Sequence, residues 1–109
     1  MKKRDEINAF LGKGTTFEGS LKFEGAVRID GNFKGEILAG GILIIGQSAC
    51  IESNIQVSQI IISGEVRGNV TAESRIEIRS PGRVSGNIRA PVVIIEDGVV
   101  FEGNCRMSE

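Results

Sequence analysis

The chain repeats a five-residue pattern six times: an apolar residue, any residue, glycine, a polar residue and a second apolar residue. Serine replaces the glycine once, at Ser53. Successive copies begin 16, 18, 15, 18 and 17 residues apart. A period near 17 residues, kept through a chain of 109, indicates a repeat architecture. The copies open at Phe17, Phe33, Ile51, Val66, Val84 and Phe101.

Two further short apolar segments follow each of the first five copies. In the third repeat the second segment is Val57, the third is the alternating pair Ile60 and Ile62, and Gly64 comes next. Alternation over so few residues is the period of a strand, and these segments are too short for helices. Glycine after each pair marks a corner. The pattern therefore predicts an all-β fold, a single-stranded parallel β-helix of about six triangular coils of about 17 residues each.

The outward positions of the repeat support one register for this helix. Its second position reads Glu18, Lys34, Glu52 and Arg67 in successive copies, and alternating charge is favourable between neighbouring strands. The inward glycines are expected to leave room for large side chains from opposite walls. The fourth position is asparagine in the last four copies, which predicts an amide ladder of Asn54, Asn69, Asn87 and Asn104.

One outward column is unexpectedly apolar, with isoleucine at Ile44, Ile61 and Ile94. A local slip of register would turn some of these residues inward, since their neighbours are also apolar. Otherwise they form an exposed stripe suited to a lateral contact or to cover by the N-terminal tail. An alternative function follows from the stripe: a non-polymerising oligomeric β-helix that binds a partner through it.

Charge and hydropathy exclude several classes of protein. The formal net charge is −1, so no nucleic-acid partner is expected. No apolar run reaches the roughly 18 residues of a membrane-spanning helix, and the opening residues lack a signal-peptide core. Cys50 and Cys105 lie three repeats apart, roughly 14 Å along the axis at about 4.8 Å per strand, too far for a disulfide. Free thiols and a cytoplasmic location are predicted.

The sequence offers little for catalysis. It contains no histidine, no CxxC pair and no phosphate-binding glycine motif. The acids are dispersed, and Asp97 beside Glu96 is only a weak candidate for a divalent cation. We therefore expect no enzyme activity, no catalytic residues, no cofactor and no metal.

The chain divides into a tail, a β-helix domain and a short end, at residues 1–13, 14–107 and 108–109. The first interpretation of the tail is a flexible segment. The second interpretation is a membrane contact, in which basic residues face anionic lipid and apolar residues at helical spacing insert into the membrane surface. Many copies on one polymer would strengthen this contact through avidity. The residues of this predicted contact are Lys2, Lys3, Arg4, Ile7, Phe10 and Leu11.

The end coils of the predicted helix carry apolar residues in place of polar caps, and only the N-terminal tail could serve as a cap. Soluble repeat proteins normally cap their end coils, and an uncapped end exposes strand edges and apolar columns. Stacking of subunits would bury this surface. The predicted polymerisation interface comprises Phe17, Leu21, Phe23, Phe101, Cys105 and Met107.

The stretch GTTFEGSLKFEGAVRIDG, from Gly14 to Gly31, resembles the opening signature of the bactofilins. The segment from Phe33 to Ile37 and the later Gly-Asn repeats match as well, so the resemblance covers about residues 12–105. It implies a right-handed β-helix that polymerises end to end, without nucleotide, into non-polar cytoskeletal filaments. It also implies a scaffold on the cytoplasmic face of the inner membrane, with a membrane-targeting tail, that organises cell shape and recruits cell-wall-synthesis or hydrolysis proteins.

Overall fold

The computed structural model describes residues 7–107, and the side chains of residues 12–107. Every regular element in this part of the chain is a strand, as the period-2 alternation predicts. The strands are β1 (Ile7–Leu11), β2 (Thr16–Phe23), β3 (Ala26–Ile29), β4 (Asn32–Ala39), β5 (Ile42–Ile45), β6 (Cys50–Ile62), β7 (Glu65–Ile78), β8 (Arg83–Ala90), β9 (Val92–Ile95) and β10 (Val100–Met107).

The strands pair in parallel, each with its equivalent one repeat away. Phe17 lies opposite Phe33, and Phe33 lies opposite Ile51, in the predicted register. The parallel β-helix is confirmed, as a solenoid of about five turns. The six copies of the pattern enclose five turns. The sixth copy lies in β10, which is the last strand of the described residues, so it begins no further turn there.

The solenoid has two long faces. The first face contains β2, β4, the beginnings of β6 and β7, β8 and β10; the second contains β1, β3, β5, the ends of β6 and β7, and β9. The first and second apolar segments, expected as separate strands, form one strand in each coil. In β4 the inward alternation runs without a turn from Phe33 through Ile37 to the half-buried Ala39, so nothing interrupts the strand.

The sheet begins earlier than the sequence predicts. Residues 1–13 are not all a flexible tail, because β1 (Ile7–Leu11) pairs in parallel with β3. Ile7, Phe10 and Leu11 therefore lie in a strand, and their spacing of i, i+3 and i+4 does not mark one face of a helix. The edge of β3 would otherwise present unpaired backbone groups, and pairing with β1 satisfies them.

The core lies between the two faces and extends along the axis. Inward residues of successive coils stack in columns, so that each is enclosed by a coil on either side. Ile45, Ile62 and Ile78 form one such column on the second face, and each is 0% exposed. Val66 on the first face is also 0% exposed. Close packing along these columns supplies the main stabilisation of the fold.

The repeated glycine is required by the backbone conformation and not, as predicted, by the room that large side chains need in the core. Gly35 has a φ of +136°, which an L-residue rarely adopts, and a Cβ there would collide with the carbonyl oxygen of Gly19. Ser53, in the same column, has no positive φ. Its hydroxyl is buried without a hydrogen-bond partner in the described part of the chain. The pairing of β6 with β7 is also interrupted beside it, between Glu52 and Ile55.

The two outward ladders are confirmed. Glu18 lies opposite Lys34, and Glu52 lies between Lys34 and Arg67. Lys34 Nζ is 3.7 Å from Glu52 Oε1, whereas Arg67 bonds Glu65 of its own strand at 3.1 Å. In the amide ladder each Nδ2 donates to the Oδ1 one coil earlier, at 3.3, 3.1 and 3.2 Å, through Asn54, Asn69, Asn87 and Asn104.

Candidate assembly interface

The C-terminal end of the solenoid exposes the inward columns. Val84 is 0% exposed, but Phe101, its partner in the next coil, is only half-buried. Ile78 is 0% exposed, whereas Ile95 beyond it is 44% exposed. An inward side chain needs a coil on each side, and the last coil has one neighbour in residues 12–107. These residues therefore form an apolar end surface.

Three residues of this end surface were predicted from the sequence and three were not. Phe101, Cys105 and Met107 lie in β10 with Val84, Ile88 and Ala90 as partners, and Met107 is 61% exposed. The prediction missed the contribution of the second face and of the turn before β10. The periodicity would have found Ile95, since it ends the column of Ile29, Ile45, Ile62 and Ile78. The missed residues are Val93, Ile95 and Val99.

The N-terminal end has a matching apolar surface on the first face. Phe17, Leu21 and Phe23 lie in β2 and are half-buried, packed against the core from one side. The ring of Phe17 stacks on that of Phe33 with centroids 5.1 Å apart and planes 11° apart. Phe17 stays only half-buried among residues 12–107, so its ring can receive another apolar group.

Both ends also carry open strand edges. Within residues 7–107, β2 pairs only with β4, and β10 pairs only with β8. The outer edge of each strand therefore offers a row of backbone donors and acceptors, which is a template for pairing with another strand.

The isoleucine stripe on the second face points outward. Leu43 and Ile60 are 0% exposed, whereas Ile44 and Ile61, which lie opposite each other, are half-buried. Ile94 is 37% exposed. The alternative of a register slip is therefore wrong, because the inward places are already filled by the flanking residues.

Ion pairs flank Ile44 and Ile61 along the axis. Arg28 Nε donates to Asp30 Oδ2 at 2.8 Å, and Arg79 Nε donates to Glu77 Oε2 at 2.7 Å. The hydrogen bond to Asp30 raises the pKa of Arg28, and the hydrogen bond to Glu77 raises the pKa of Arg79. The geometry thus places one organised pair of charges on each side of the apolar pair.

The predicted membrane contact is only partly within the described residues. Lys2, Lys3 and Arg4 lie outside them, and Ile7, Phe10 and Leu11 belong to β1. The part of the chain that the structure describes contains no helix long and apolar enough to cross a membrane. The membrane contact stays a prediction.

The described residues show no arrangement suited to metal chemistry. Nowhere in this part of the chain do three or more histidine, cysteine or acidic side chains gather closely enough to hold a metal ion. Glu96 and Asp97 are exposed, and Glu96 accepts a hydrogen bond from the backbone of Ser80 instead. Cys50 and Cys105 are free, exposed thiols, as their predicted separation requires.

Comparison with known protein families assigns the chain to a family. The family model described as "Bactofilin: Polymer-forming cytoskeletal" matches residues 9–106. The chain belongs to the bactofilin family. The resemblance noted at the Gly14 to Gly31 signature is thereby confirmed, and it extends through the whole solenoid.

Relatives and solved structures agree with this assignment. This bactofilin is 32% identical over 100 residues to bactofilin BacO of Myxococcus xanthus, a match that covers 92% of this chain and 79% of BacO. It is 34% identical over 102 residues to bactofilin BacP of the same organism. That match covers 94% of this chain but only 42% of BacP. It is also similar to the cryo-EM reconstruction of Thermus thermophilus bactofilin double helical filaments, with a TM-score of 0.84 and 32% identity over 89% of this chain and 96% of that one.

Proposed function

We propose that this bactofilin is a cytoskeletal scaffold whose subunits stack end to end into filaments without nucleotide. The observation that carries the proposal is the loss of cover on the inward columns at both ends, at Phe17 and at Phe101. Stacking would bury this apolar surface, at about 25 cal/mol per Å². It would also pair the open edges of β2 and β10, so stacking would cover the apolar surface and satisfy the unpaired backbone groups together.

Charge at the ends argues against joining unlike ends. If β10 continued into β2 of the next subunit in the repeat register, Glu102 would lie opposite Glu18. Arg106 would then lie opposite Lys22. Two pairs of like charges on adjacent strands are unfavourable. Because Arg106 already lies opposite Arg89, the junction would extend a row of positive charges to Lys22.

Joining like ends removes this conflict. Two copies of β10 related by a two-fold axis pair antiparallel, and residues directly opposite each other must point to the same side. With the axis at Asn104, Glu102 lies opposite Arg106 of the second subunit, and Phe101 lies opposite Met107. The amide ladder then meets its own copy at Asn104. We therefore propose non-polar filaments, in accord with what the family resemblance implies.

Electron microscopy of the purified protein without nucleotide tests the polymer, and charge reversal tests its polarity. We expect thin filaments from the unaltered chain. Glu102→Arg should shorten them, and Glu102→Arg combined with Arg106→Glu should restore them. A head-to-tail filament would respond in the opposite way, because Arg at position 102 would then face Glu18 and lengthen the filaments. Gln56→Arg, an exposed site in the middle of the same face, is the control and should change nothing.

We also propose that these filaments lie on the cytoplasmic face of the inner membrane and organise cell-wall-synthesis or hydrolysis proteins. The family resemblance supports this role, as do the basic residues Lys2, Lys3 and Arg4, which many subunits of one polymer would present together. Deletion of residues 2–6 keeps β1 intact and should abolish co-sedimentation with anionic liposomes while filaments persist. Equal co-sedimentation of the truncated and full chains would remove the tail from the mechanism.

A further inference from the structure

One outward column of the second face has an unusual symmetry. In register order its central residues read Arg28, Ile44, Ile61 and Glu77, and Ile94 follows them. Taken from either end, these four residues are charged, apolar, apolar, charged. Only the sign of the charge differs between the two directions. Such a column is complementary to its own reverse.

The neighbouring column has the same property. Backbone hydrogen bonds from Gly46, Ser63 and Arg79 to the preceding coil stack these three residues on one another, and Asp30 lies beneath Gly46. Asp30 gives the column a negative charge and Arg79, three coils later, gives it a positive one, with uncharged residues between them. Glu96 follows Arg79 in the next coil through the same backbone hydrogen bond.

We infer that the second face is a lateral interface on which two copies of this chain pack antiparallel. A two-fold axis lying in the interface and perpendicular to the solenoid axis brings each column against itself in reverse order. Ile44 then packs on Ile61 of the second subunit, and Arg28 faces Glu77. In the neighbouring column Asp30 faces Arg79.

The existing ion pairs favour this arrangement over a parallel one. Arg28 with Asp30 and Glu77 with Arg79 are already held at 2.8 and 2.7 Å. Facing each other antiparallel, the two pairs join into a network of four alternating charges at each end of the contact. A parallel contact would instead oppose Arg28 to Arg28 and Glu77 to Glu77, and like charges in direct opposition are unfavourable.

The apolar centre of the face is available for this contact. An open depression of about 540 Å³ is lined by Ile44 and Ile61 together with polar residues, which are Arg28, Asp30, Gln47, Ser48, Ser63 and Arg79. No side chain among residues 12–107 fills it. A second copy supplies an apolar pair of the same length, so both pairs lose contact with water together.

The expected area of the contact is too small to hold two isolated subunits together, so the contact is expected between filaments. Five strands about 4.8 Å apart and roughly 14 Å wide give an area on the order of 300 Å² for each subunit. Stable complexes bury about 800 Å² for each partner, so two isolated subunits would pair weakly. Along two filaments the same contact recurs and is strengthened by avidity. The inference therefore rests on the proposed function, and pairing is expected between filaments.

A charge exchange at the centre of the stripe tests the inference. Ile61→Lys places a charge against Ile44 of the second subunit, where desolvation is costly, and should lower the fraction of paired filaments roughly tenfold or more while single filaments remain. Adding Ile44→Glu puts Glu against Lys in the antiparallel contact and should restore pairing. Leu38→Lys, at an exposed apolar site of the first face, is the matched control. The measurement is filament width by electron microscopy.

The outcomes separate the inference from end-to-end assembly. Only single filaments from the unaltered chain would overturn lateral pairing and leave polymerisation standing, and a chain that forms no filaments would overturn both. Failure of the double variant to restore pairing would indicate a different partner for the stripe. In a background with Cys50→Ser and Cys105→Ser, mixed Ile44→Cys and Ile61→Cys subunits should cross-link on mild oxidation. Cross-linking of Ile44→Cys subunits with one another instead would show a parallel contact and overturn the inference.

Discussion

The middle and the end of the solenoid carry the same residue pattern in different surroundings. Val66 and Phe101 occupy the same column and open the same five-residue pattern, yet Val66 is 0% exposed and Phe101 is half-buried. The strand of Val66 pairs on both sides, with β6 and β8, and the strand of Phe101 pairs with β8 alone. One sequence signal thus specifies core in the middle of the helix and, at its end, a surface that a second subunit can cover.

The largest expected effect is at the middle of this column. Val66→Arg forces a charge between two coils, and we expect a loss of roughly 3–5 kcal/mol in the free energy of unfolding, enough to unfold the chain. Circular dichroism should show that the β-signal is lost at ambient temperature. Thr71→Arg, exposed on the same strand, should keep it. A folded Val66→Arg protein would mean that the column is not a core.

The glycine column allows a second comparison within the middle coils. Gly68→Ala adds a Cβ at a φ of +130° and against the carbonyl oxygen of Ser53, so we expect a loss of roughly 3 kcal/mol. Ser53→Ala removes a buried hydroxyl without a partner and should stabilise the protein by about 1 kcal/mol. Thermal melts measure both changes. Destabilisation by Ser53→Ala would contradict the prediction, because it would show that the Ser53 hydroxyl makes a stabilising contact.

At the end of the column the effect on stability should be small and the effect on assembly large. In Phe101→Arg the side chain can bend out to solvent, so we expect a change of about 1 kcal/mol in unfolding and an intact β-signal. The charge would remain at the junction, where burial without a partner is costly. Light scattering should show assembly arrested at a small oligomer joined through the N-terminal ends. Long filaments from this variant would exclude the C-terminal end as a polymerisation surface.

The smallest expected effect concerns the outward charges. Glu52→Lys removes the contact with Lys34 and places three positive charges in a row with Arg67, which should cost at most about 1 kcal/mol because these side chains are exposed. Lys34→Glu in addition should restore part of the melting temperature, because it recreates the contact between positions 34 and 52 but places a glutamate opposite Glu18. Arg67→Glu should restore less, since it also breaks the bond between Arg67 and Glu65. If Arg67→Glu restored the melting temperature of the Glu52→Lys protein completely, Arg67 and not Lys34 would be the main partner of Glu52.

Periodicity made the register of the first face predictable. Each strand pairs with its equivalent at a nearly constant offset, so a local pattern implies a long-range contact, as between Phe33 and Ile51. The same reasoning located Phe101 at an open end and oriented the amide ladder. It failed for β1 (Ile7–Leu11), which carries no copy of the repeat and joins the sheet only because β3 offers it an edge.

The amino-acid sequence by itself determined the solenoid, its columns and the family. Only the tertiary structure decided that Arg67 bonds Glu65, that Gly35 is required by the carbonyl of Gly19, and that Ile95 is open at the C-terminal end. The physical reason is that a repeat specifies which residues become neighbours. It does not specify which of several neighbours within reach an individual side chain contacts, or where the stack of coils ends.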